Sequence, residues 1–311
     1  MNPPATKVAY LGPPATFTQE ALLTQRDLSG ADLTPRGSIT TVLDAVADGE
    51  VELGFVPMEN AIEGTVSATI DGLIHDVDLH IQREVVIDIH LHLMVRPGTA
   101  LTEVRSVASY PHALAQCQKY LAKALPEAEQ RAANSTAEAA RVLGESDCAD
   151  GAAIAPRLAA ERYGLVIVAE DIEDHPDNQT RFVLVAKGRV PKPSGHDKTS
   201  IVCFQRADHP GSLHGILGQF AARNINLTKL ESRPTKQGLG DYCFVIDLSG
   251  HIGDEVVADC LRDLHAGLAG VKFLGSYPAA GEHGEQQRLQ ADAAWQAADD
   301  WLRALRQAIQ E

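Results

Sequence analysis

The chain has 311 residues, which is enough for about two domains of ordinary size. Its formal net charge of −15 at pH 7 argues against a nucleic-acid partner or an anionic membrane, because both would be repelled. Apolar runs stay well short of the roughly 18 residues of a membrane span, and no charged-then-apolar leader precedes the first predicted strand, so we expect a cytoplasmic protein. The cysteines are scattered without metal-ligand spacing, and we expect them to be reduced and mostly buried.

The first part of the chain, residues 7–187, alternates short apolar runs with helical patterns. Strands are predicted at Val8–Leu11, Leu53–Val56, Val85–Val95, Ser106–Ser109, Ala152–Ala155, Leu165–Ala169 and Phe182–Val185. Helices are predicted at Thr41–Ala47, Val66–Ile74, Ala113–Leu125, Thr136–Leu143 and Arg157–Tyr163. This alternation predicts an α/β fold with largely parallel sheets. The unusually long strand Val85–Val95 would carry the chain from one lobe to another, so we expect a functional site in a cleft between two lobes.

After a Pro- and Gly-containing linker at residues 188–198, the pattern changes. Strands are predicted at Ser200–Gln205, Leu227–Arg233, Tyr242–Leu248 and Val271–Tyr277, with helices at Leu213–Arg223 and Glu255–Leu268. The order βαββαβ is that of a ferredoxin-like unit. A final stripe of apolar residues predicts an amphipathic helix at Gln286–Ile309, which packs either on its own subunit or in an oligomer.

The stretch Asp177–Phe182 brings a hydroxyl, a guanidinium and an aromatic ring together at the mouth of a predicted strand. Arg181 offers a planar fork of donors for a carboxylate, and Thr180 offers one orientable O–H. Phe182 can cover the site and exclude water. Taken alone, these residues favour an ordinary strand start, because short motifs match by accident. Other features of the chain favour a site that holds a carboxylate and protonates a leaving hydroxyl.

Three predicted strand-to-helix turns share one design, in which polar residues end a strand and begin a helix. Their key residues are Thr16 with Gln19, Glu59 with Asn60, and Ser109 with Pro111. Helix N-termini present unpaired N–H groups and the positive end of the helix dipole. Several of them facing one cleft can bind a small anion without much net positive charge, as a chain of net charge −15 requires.

The histidines do not predict a metal centre. His90 and His92 share one face of a predicted strand, and His75 and His80 are close in sequence. No carboxylate or cysteine joins either pair at ligand spacing. No dinucleotide fingerprint or Walker loop is present. We therefore expect neither a metal nor a cofactor.

The motifs of the first part of the chain resemble those of the prephenate dehydratase family, and the resemblance runs over nearly the whole chain. The family has a Gly-Pro-x-Gly-Thr-Phe-Thr turn, a Pro-x-Glu-Asn-Ser turn, a Ser-His-Pro-Gln-Ala-Leu-Ala-Gln-Cys helix start and a Thr-Arg-Phe step. The matching residues are Gly12, Pro13, Thr16, Phe17 and Thr18; Pro57, Glu59 and Asn60; Ser109, Pro111 and Ala113–Cys117; and Thr180, Arg181 and Phe182. The chain departs from the pattern at Ala15, Ala61, Tyr110 and His112, where the family has Gly, Ser, His and Gln. At Ala15 the backbone needs either a negative φ or a little strain.

The resemblance implies a two-lobed catalytic domain like that of type 2 periplasmic binding proteins, followed by an ACT domain. It also implies a cofactor-free lyase that converts prephenate to phenylpyruvate, CO2 and water in phenylalanine biosynthesis. Thr180 would then be the donor or acid at the leaving hydroxyl, Arg181 would fix a carboxylate, and Phe182 would form a dry wall against the ring. The residues expected to bind substrate are Thr16, Asn60, Ser109, Gln116 and Asn178. Glu59 is either an acid or a structural cap, and we favour structure.

Two segments of the ferredoxin-like unit, Pro210–Leu213 and Asn226–Pro234, resemble motifs of the same family's ACT domain. The resemblance implies a regulatory site for L-phenylalanine at a dimer interface. A Gly-containing helix start can hold an α-carboxylate and an apolar neighbour can hold a ring, while Arg233 is expected to be structural. The expected effector residues are Gly211, Ser212, Leu213, Asn226, Glu231 and Ser232. The expected assembly is a homodimer or a homotetramer.

Two alternatives remain open from the sequence. An arogenate dehydratase would act on a substrate with an amine in place of the side-chain keto group. A non-catalytic sensor would join an anion-binding cleft to an amino-acid-binding unit, although the intact Thr-Arg-Phe step argues against it. The predicted domains are 5–187 for the catalytic domain, 188–198 for the linker, 199–279 for the ACT domain and 284–311 for the terminal helix.

Overall fold

The computed structural model describes residues 5–146, 148–205, 209–236, 238, 240–280, 300–304 and 306–307. The chain divides into two compact units. The first comprises residues up to Gly72 and Val85–Leu184, and the second comprises Leu73–Glu84 and the residues from Val185 onward. The first unit contains both predicted lobes, and the second contains the ferredoxin-like fold. The domain boundaries given above remain predictions.

Most helices and strands of the first unit alternate along the chain. The strands are β1 (Lys7–Leu11), β2 (Asp32–Arg36), β3 (Leu53–Asn60), β4 (Gly64–Thr65), β5 (His80–Asp88), β6 (His92–Val95), β7 (Ser106–Ser109), β8 (Glu129–Ala132), β9 (Gly151–Ala155), β10 (Val166–Ala169) and β11 (Gln179–Ala186). The helices are α1 (Phe17–Leu23), α2 (Ile39–Ala47), α3 (Ser67–Asp71), α4 (Pro111–Ala115), α5 (Gln118–Ala124), α6 (Thr136–Glu145) and α7 (Arg157–Tyr163).

The two lobes repeat one sheet topology. In the first lobe the strand order is β2-β1-β3-β11-β5, and in the second it is β8-β7-β9-β6-β10. Each sheet thus accepts, next to its third strand, a strand that arrives from the other lobe. The chain crosses between the lobes at residues 89–91 and at residues 170–178. The predicted fold class, a two-lobed α/β domain, is confirmed.

Apolar runs in the sequence correctly predicted the buried strands, but the exposed strands were missed. All five residues of β9 are buried, because helices cover both faces of a central strand. The strands β2 and β8 were not predicted. They lie at sheet edges, and every residue of β8 is exposed, so they carry no apolar pattern.

Two predicted elements are interrupted. The strand predicted at Val85–Val95 is in fact two strands, β5 and β6, because these belong to different sheets and their ladders cannot continue into one another. The helix predicted at Ala113–Leu125 breaks at Gln116 and Cys117. There the backbone N–H of Asp174 donates to the Gln116 carbonyl at 2.5 Å, and the Asp174 carboxylate accepts from the Lys119 N–H at 3.1 Å.

The second unit contains the predicted βαββαβ fold. Its elements are β12 (Asp197–Gln205), α8 (Ser212–Ala222), β13 (Leu227–Pro234), β14 (Tyr242–Ser249), α9 (Glu255–Asp263) and β15 (Ala269–Pro278). The antiparallel strand order is β13-β14-β12-β15, which is the ferredoxin-like order. The strand β12 begins at Asp197, within the segment predicted as a linker. Residues 300–304 and 306–307 are helical, and the rest of the predicted helix Gln286–Ile309 lies outside the described residues.

Four of the five cysteines are buried, as predicted. They are Cys117, Cys203, Cys243 and Cys260, with Cys148 partly exposed. No helix in the described part of the chain is long and apolar enough to span a membrane.

Gly275 permits a close contact within the second unit. Its φ is +144°, and a Cβ atom at this position would lie 2.6 Å from the Ile81 carbonyl oxygen and 2.9 Å from the Ile81 nitrogen. We expect Gly275→Ala to cost about 2 kcal/mol, because backbone atoms cannot move aside cheaply. The matched control is Gly267→Ala, where a Cβ would meet nothing within 4 Å. Differential scanning calorimetry should show a lower Tm for Gly275→Ala alone; equal Tm values would contradict the close approach.

Candidate functional site

The centre of the site is a hydrogen bond between two adjacent strands of the first lobe. Asn60, the last residue of β3, donates its Nδ2–H to Thr180 Oγ1 at 2.9 Å. The other end of the amide is fixed, because Asn60 Oδ1 accepts the backbone N–H groups of Ile62 at 2.9 Å and Glu63 at 3.0 Å. Since Thr180 Oγ1 accepts the bond from Asn60, its own proton is directed elsewhere. This arrangement makes the Thr180 hydroxyl a positioned donor.

A chain of amides connects Thr180 to the second lobe. Asn60 Nδ2 also donates to Asn178 Oδ1 at 2.8 Å, and Asn178 Nδ2 donates to Gln116 Oε1 at 3.0 Å. Asn178 is 2% exposed and lies on the second crossing between the lobes. Gln116 stands at the break between α4 and α5. Four predicted site residues from three separate segments of the chain are thus linked, and the Asn178–Gln116 bond joins the two lobes.

Two residues that carried no predicted role complete this contact. Glu63 Oε2 lies 2.7 Å from His112 Nδ1, and Gln116 Nε2 donates to Glu63 Oε1 at 3.4 Å. The Tyr110 ring stacks on His112 at 5.3 Å. The Tyr110 and His112 departures from the family pattern therefore lie at the interlobe contact. Their unusual identity was the only sequence signal that could have drawn attention to them.

Arg181 lies on the opposite side of β11 from Thr180, as neighbours on a strand do. Its side chain is 10% exposed, and its Nη1 lies 3.5 Å from Glu59 Oε2. The pair supports the structural role favoured for Glu59, which holds the guanidinium in place beside the site. The Arg181 guanidinium is therefore held in a fixed orientation, and most of it is buried.

Phe182 has a different role from the one predicted. It is 2% exposed, and its ring stacks on Phe55 with centroids 5.5 Å apart. It belongs to the core of the first lobe together with Tyr10 and Leu184. Phe182 lies on the same face of β11 as Thr180 but two residues further along, where the strand is buried, so its ring packs in the core beneath Thr180 and does not form a wall against a ligand ring.

The predicted role of Ser109 is also corrected. Ser109 is fully buried, and its Oγ donates to the Ile154 carbonyl at 2.6 Å. The residue before α4 is Tyr110, without a side-chain cap. Ser109 is therefore not a helix cap, because its one proton is used between strands, and a substrate contact for it remains a prediction.

The first predicted turn forms a cap as expected. Thr16 Oγ1 accepts the Gln19 N–H at 3.5 Å, and the Ala15 N–H donates to Gln19 Oε1 at 2.6 Å. Ala15 adopts a φ of +67°, so the strained alternative is the one found. An alanine in this conformation costs roughly 1 kcal/mol. A substrate contact for Thr16 remains a prediction.

Cys117 is not suited to nucleophilic work, and His92 is buried. Burial raises the pKa of the Cys117 thiol to about 12, so it is protonated at neutral pH. Burial lowers the pKa of His92, which favours its neutral form. The cysteine lies next to Gln116 in sequence, but it belongs to the core of the second lobe.

The predicted effector residues divide between the two faces of the second unit's sheet. Gly211, with a φ of +90°, is the N-cap residue of α8, followed by Ser212 and Leu213. Ser232 on the edge strand β13 is opposite Phe244, which packs on the helices, whereas Glu231 is opposite Val245 on the other face. Glu231 accepts from Arg233 at 2.8 Å, in keeping with a structural Arg233. The remaining predicted residue, Asn226, precedes β13.

The fold and the site define a class of protein: a two-lobed α/β domain with a polar interlobe site, followed by a ferredoxin-like module. The family model for prephenate dehydratase matches residues 8–190, and the ACT domain model matches residues 199–266.

Individual relatives agree. The prephenate dehydratase of Mycolicibacterium vanbaalenii is 42% identical over 316 residues, covering 96% of this chain and 98% of the relative. The crystal structure of an Arthrobacter aurescens prephenate dehydratase in complex with L-Phe has 39% identity and a TM-score of 0.86, covering 97% of this chain and 100% of that one. A structure described as GqqA, a novel type of quorum quenching acylase, has 28% identity and a TM-score of 0.79, covering 88% of this chain and 98% of that one. The chain belongs to the prephenate dehydratase family, and it is a lyase.

Proposed function

We propose that the chain removes water and CO2 from prephenate at the interlobe site, with the chemistry centred on Thr180. The observation that carries this assignment is the bond from Asn60 Nδ2 to Thr180 Oγ1 at 2.9 Å. It sets the oxygen in place and leaves the hydroxyl proton for an oxygen of the substrate. The Thr180 hydroxyl then donates to the ring hydroxyl that departs.

The reaction needs little from the protein besides position and one proton. The C–O bond breaks as its electron pair leaves with the hydroxyl oxygen, and the ring carboxylate leaves as CO2, returning its electron pair to the ring. Aromatisation supplies the driving force. Threonine is a very weak acid and amides do not ionise near neutral pH, so the proton passes through the Thr180 hydroxyl and is replaced from water. The amide chain orients the hydroxyl.

The remaining side chains hold the substrate. Arg181 binds a carboxylate, since a guanidinium already fixed beside Glu59 loses little freedom on binding. Asn60, Asn178 and Gln116 orient the substrate and couple the two lobes. The arogenate reaction differs only in the side chain, so it is the second candidate substrate. A cytoplasmic location remains a prediction.

The second unit supports a regulatory proposal. L-phenylalanine binds near Gly211, Ser212, Leu213 and Ser232, with Asn226 at the start of β13 and Glu231 holding that strand from its other face. A second copy of the chain completes this site along the exposed edge of β13. Binding favours the less active of two conformational states and so lowers turnover.

The first experiment is phenylpyruvate formation by the purified protein from prephenate, with arogenate in a parallel assay. We expect prephenate to be converted and added phenylalanine to suppress the rate. A protein that does not act on prephenate but acts on arogenate would overturn the substrate assignment.

The regulatory half has its own control. Gly211→Ala should weaken suppression, because an L-residue is strained at a φ of +90°. Gly218→Ala, within the same α8, meets nothing within 4 Å and should leave suppression intact. Equal suppression in both variants would contradict the assigned effector site.

A further inference from the structure

Three potential metal ligands meet where the chain crosses between the lobes. His90 lies on the first crossing, and Asp171 and Glu173 lie on the second. His90 Nδ1 is 3.3 Å from Asp171 Oδ1 and 3.3 Å from Glu173 Oε1. One ligand atom from each residue lies within 4.8 Å of the others. The tertiary fold therefore brings two carboxylates to His90 that the sequence spacing does not indicate.

Two of the three distances between ligand atoms match what a tetrahedral cation requires. Metal–ligand bonds of about 2.0–2.2 Å place neighbouring ligand atoms roughly 3.3–3.5 Å apart. The two distances from His90 Nδ1 are both 3.3 Å. A neutral imidazole with two carboxylates is a mixed N/O set that suits zinc and similar divalent ions.

Hydrogen bonds from neighbouring groups hold the proposed ligands in fixed orientations. The Glu173 side chain is 2% exposed, and its other oxygen accepts the Leu91 N–H at 2.8 Å. The Asp171 N–H donates to His92 Nδ1 at 3.2 Å. Partners of this kind fix ligand orientation in metal sites. His90 and Asp171 are half exposed, which leaves an entry path for an ion and a place for a water ligand.

A further carboxylate oxygen near the cluster lacks a partner. Glu20 Oε2 is buried without a hydrogen-bond partner among the described residues, and Glu20 is close enough to His90 for their charges to interact.

We propose that His90, Asp171 and Glu173 bind one divalent metal ion such as Zn²⁺. Water would take the fourth coordination position. The ion ties together the two chain crossings that connect the lobes. Its role is structural, because none of the three side chains belongs to the Thr180–Asn60–Asn178–Gln116 chain. It therefore limits lobe motion without entering the reaction.

The test uses the untagged full-length protein, stripped with EDTA and titrated with Zn²⁺ by calorimetry. We expect about one Zn²⁺ per chain and a higher Tm when zinc is bound. His90→Ala and Asp171→Asn should each weaken binding about tenfold or more. Matched controls from the same crossing, His175→Ala and Asp177→Asn, are exposed residues outside the cluster and should bind as the wild type does.

Replacing zinc with Co²⁺ distinguishes metal binding at the His90 cluster from metal binding to cysteine thiolates. Co²⁺ at an N/O site should show tetrahedral visible absorption without thiolate charge transfer. Absence of zinc binding to the wild type, unchanged binding in His90→Ala, or a thiolate band that persists in that variant would each overturn the proposal. Retention of a low Kd in both controls together with its loss in both cluster variants would establish it.

Discussion

Replacing Thr180 with alanine is expected to lower turnover by about 10²-fold or more, the usual contribution of a positioned acid. The substitution removes the proton that we propose Thr180 donates to the leaving hydroxyl, while the Asn60–Asn178 bond of 2.8 Å remains in place. Folding should therefore be intact. Initial rates of phenylpyruvate formation at saturating prephenate measure the loss directly.

Thr180→Ser is the matched control for this experiment. Serine keeps the oxygen that accepts from Asn60 and loses only the methyl group that restrains its rotamer. We expect its turnover to stay within about tenfold of the wild type, since the donor is present but less well fixed. Thr180→Ala with nearly normal turnover, or Thr180→Ser as impaired as Thr180→Ala, would contradict the role of the hydroxyl.

Asn178→Leu is expected to impair both activity and stability. Asn178 is 2% exposed and joins Asn60 in one lobe to Gln116 in the other, so an apolar residue of similar size breaks both bonds. Asn60 keeps Thr180 and the Gln179 carbonyl as acceptors, whereas Gln116 Oε1 loses its donor. Each unsatisfied buried polar group costs about 1–3 kcal/mol. We expect kcat/KM to fall by about 10- to 100-fold, which is what that cost implies if half or more falls on the transition state, and the Tm to fall as well.

Two further variants test whether the effects of Asn178→Leu come from the lost hydrogen bonds. Asn178→Asp retains an acceptor for Asn60 and should lose less stability than Asn178→Leu. Asn134→Leu alters an exposed amide of the second lobe and should change neither quantity. If Asn178→Leu kept wild-type kcat/KM, the amide chain would not orient the catalytic hydroxyl, and the proposed coupling between lobes would fail.

Local patterns were sufficient for most of the fold. The alternation of apolar runs predicted the α/β unit, and the βαββαβ order predicted the ferredoxin-like unit, because periodicity reports directly on which faces are buried. Prediction failed where burial gives no signal, as at the exposed edge strand β8. It also failed at residues 89–91, where an apolar run continues although the sheet changes.

The residue types of the site were recognisable, but their orientation was not. Thr-Arg-Phe reads as three functional groups in sequence, whereas the fold buries Phe182 in the core and strand alternation places Arg181 on the face opposite Thr180. Ser109 matches a family motif, yet its hydroxyl is used by the Ile154 carbonyl in a neighbouring strand. A sequence shows which donors exist, and only packing shows where they point.

The sequence by itself determined the two domain types, the family, and the residues that carry hydroxyl, amide and guanidinium groups. These depend on local periodicity and on motifs of a few consecutive residues. Only the tertiary structure decided which distant residues meet: Asn60 with Thr180 across 120 positions, and His90 with Glu173 across 83. The reason is that strand order and the two chain crossings set these contacts, and neither is encoded in any short segment.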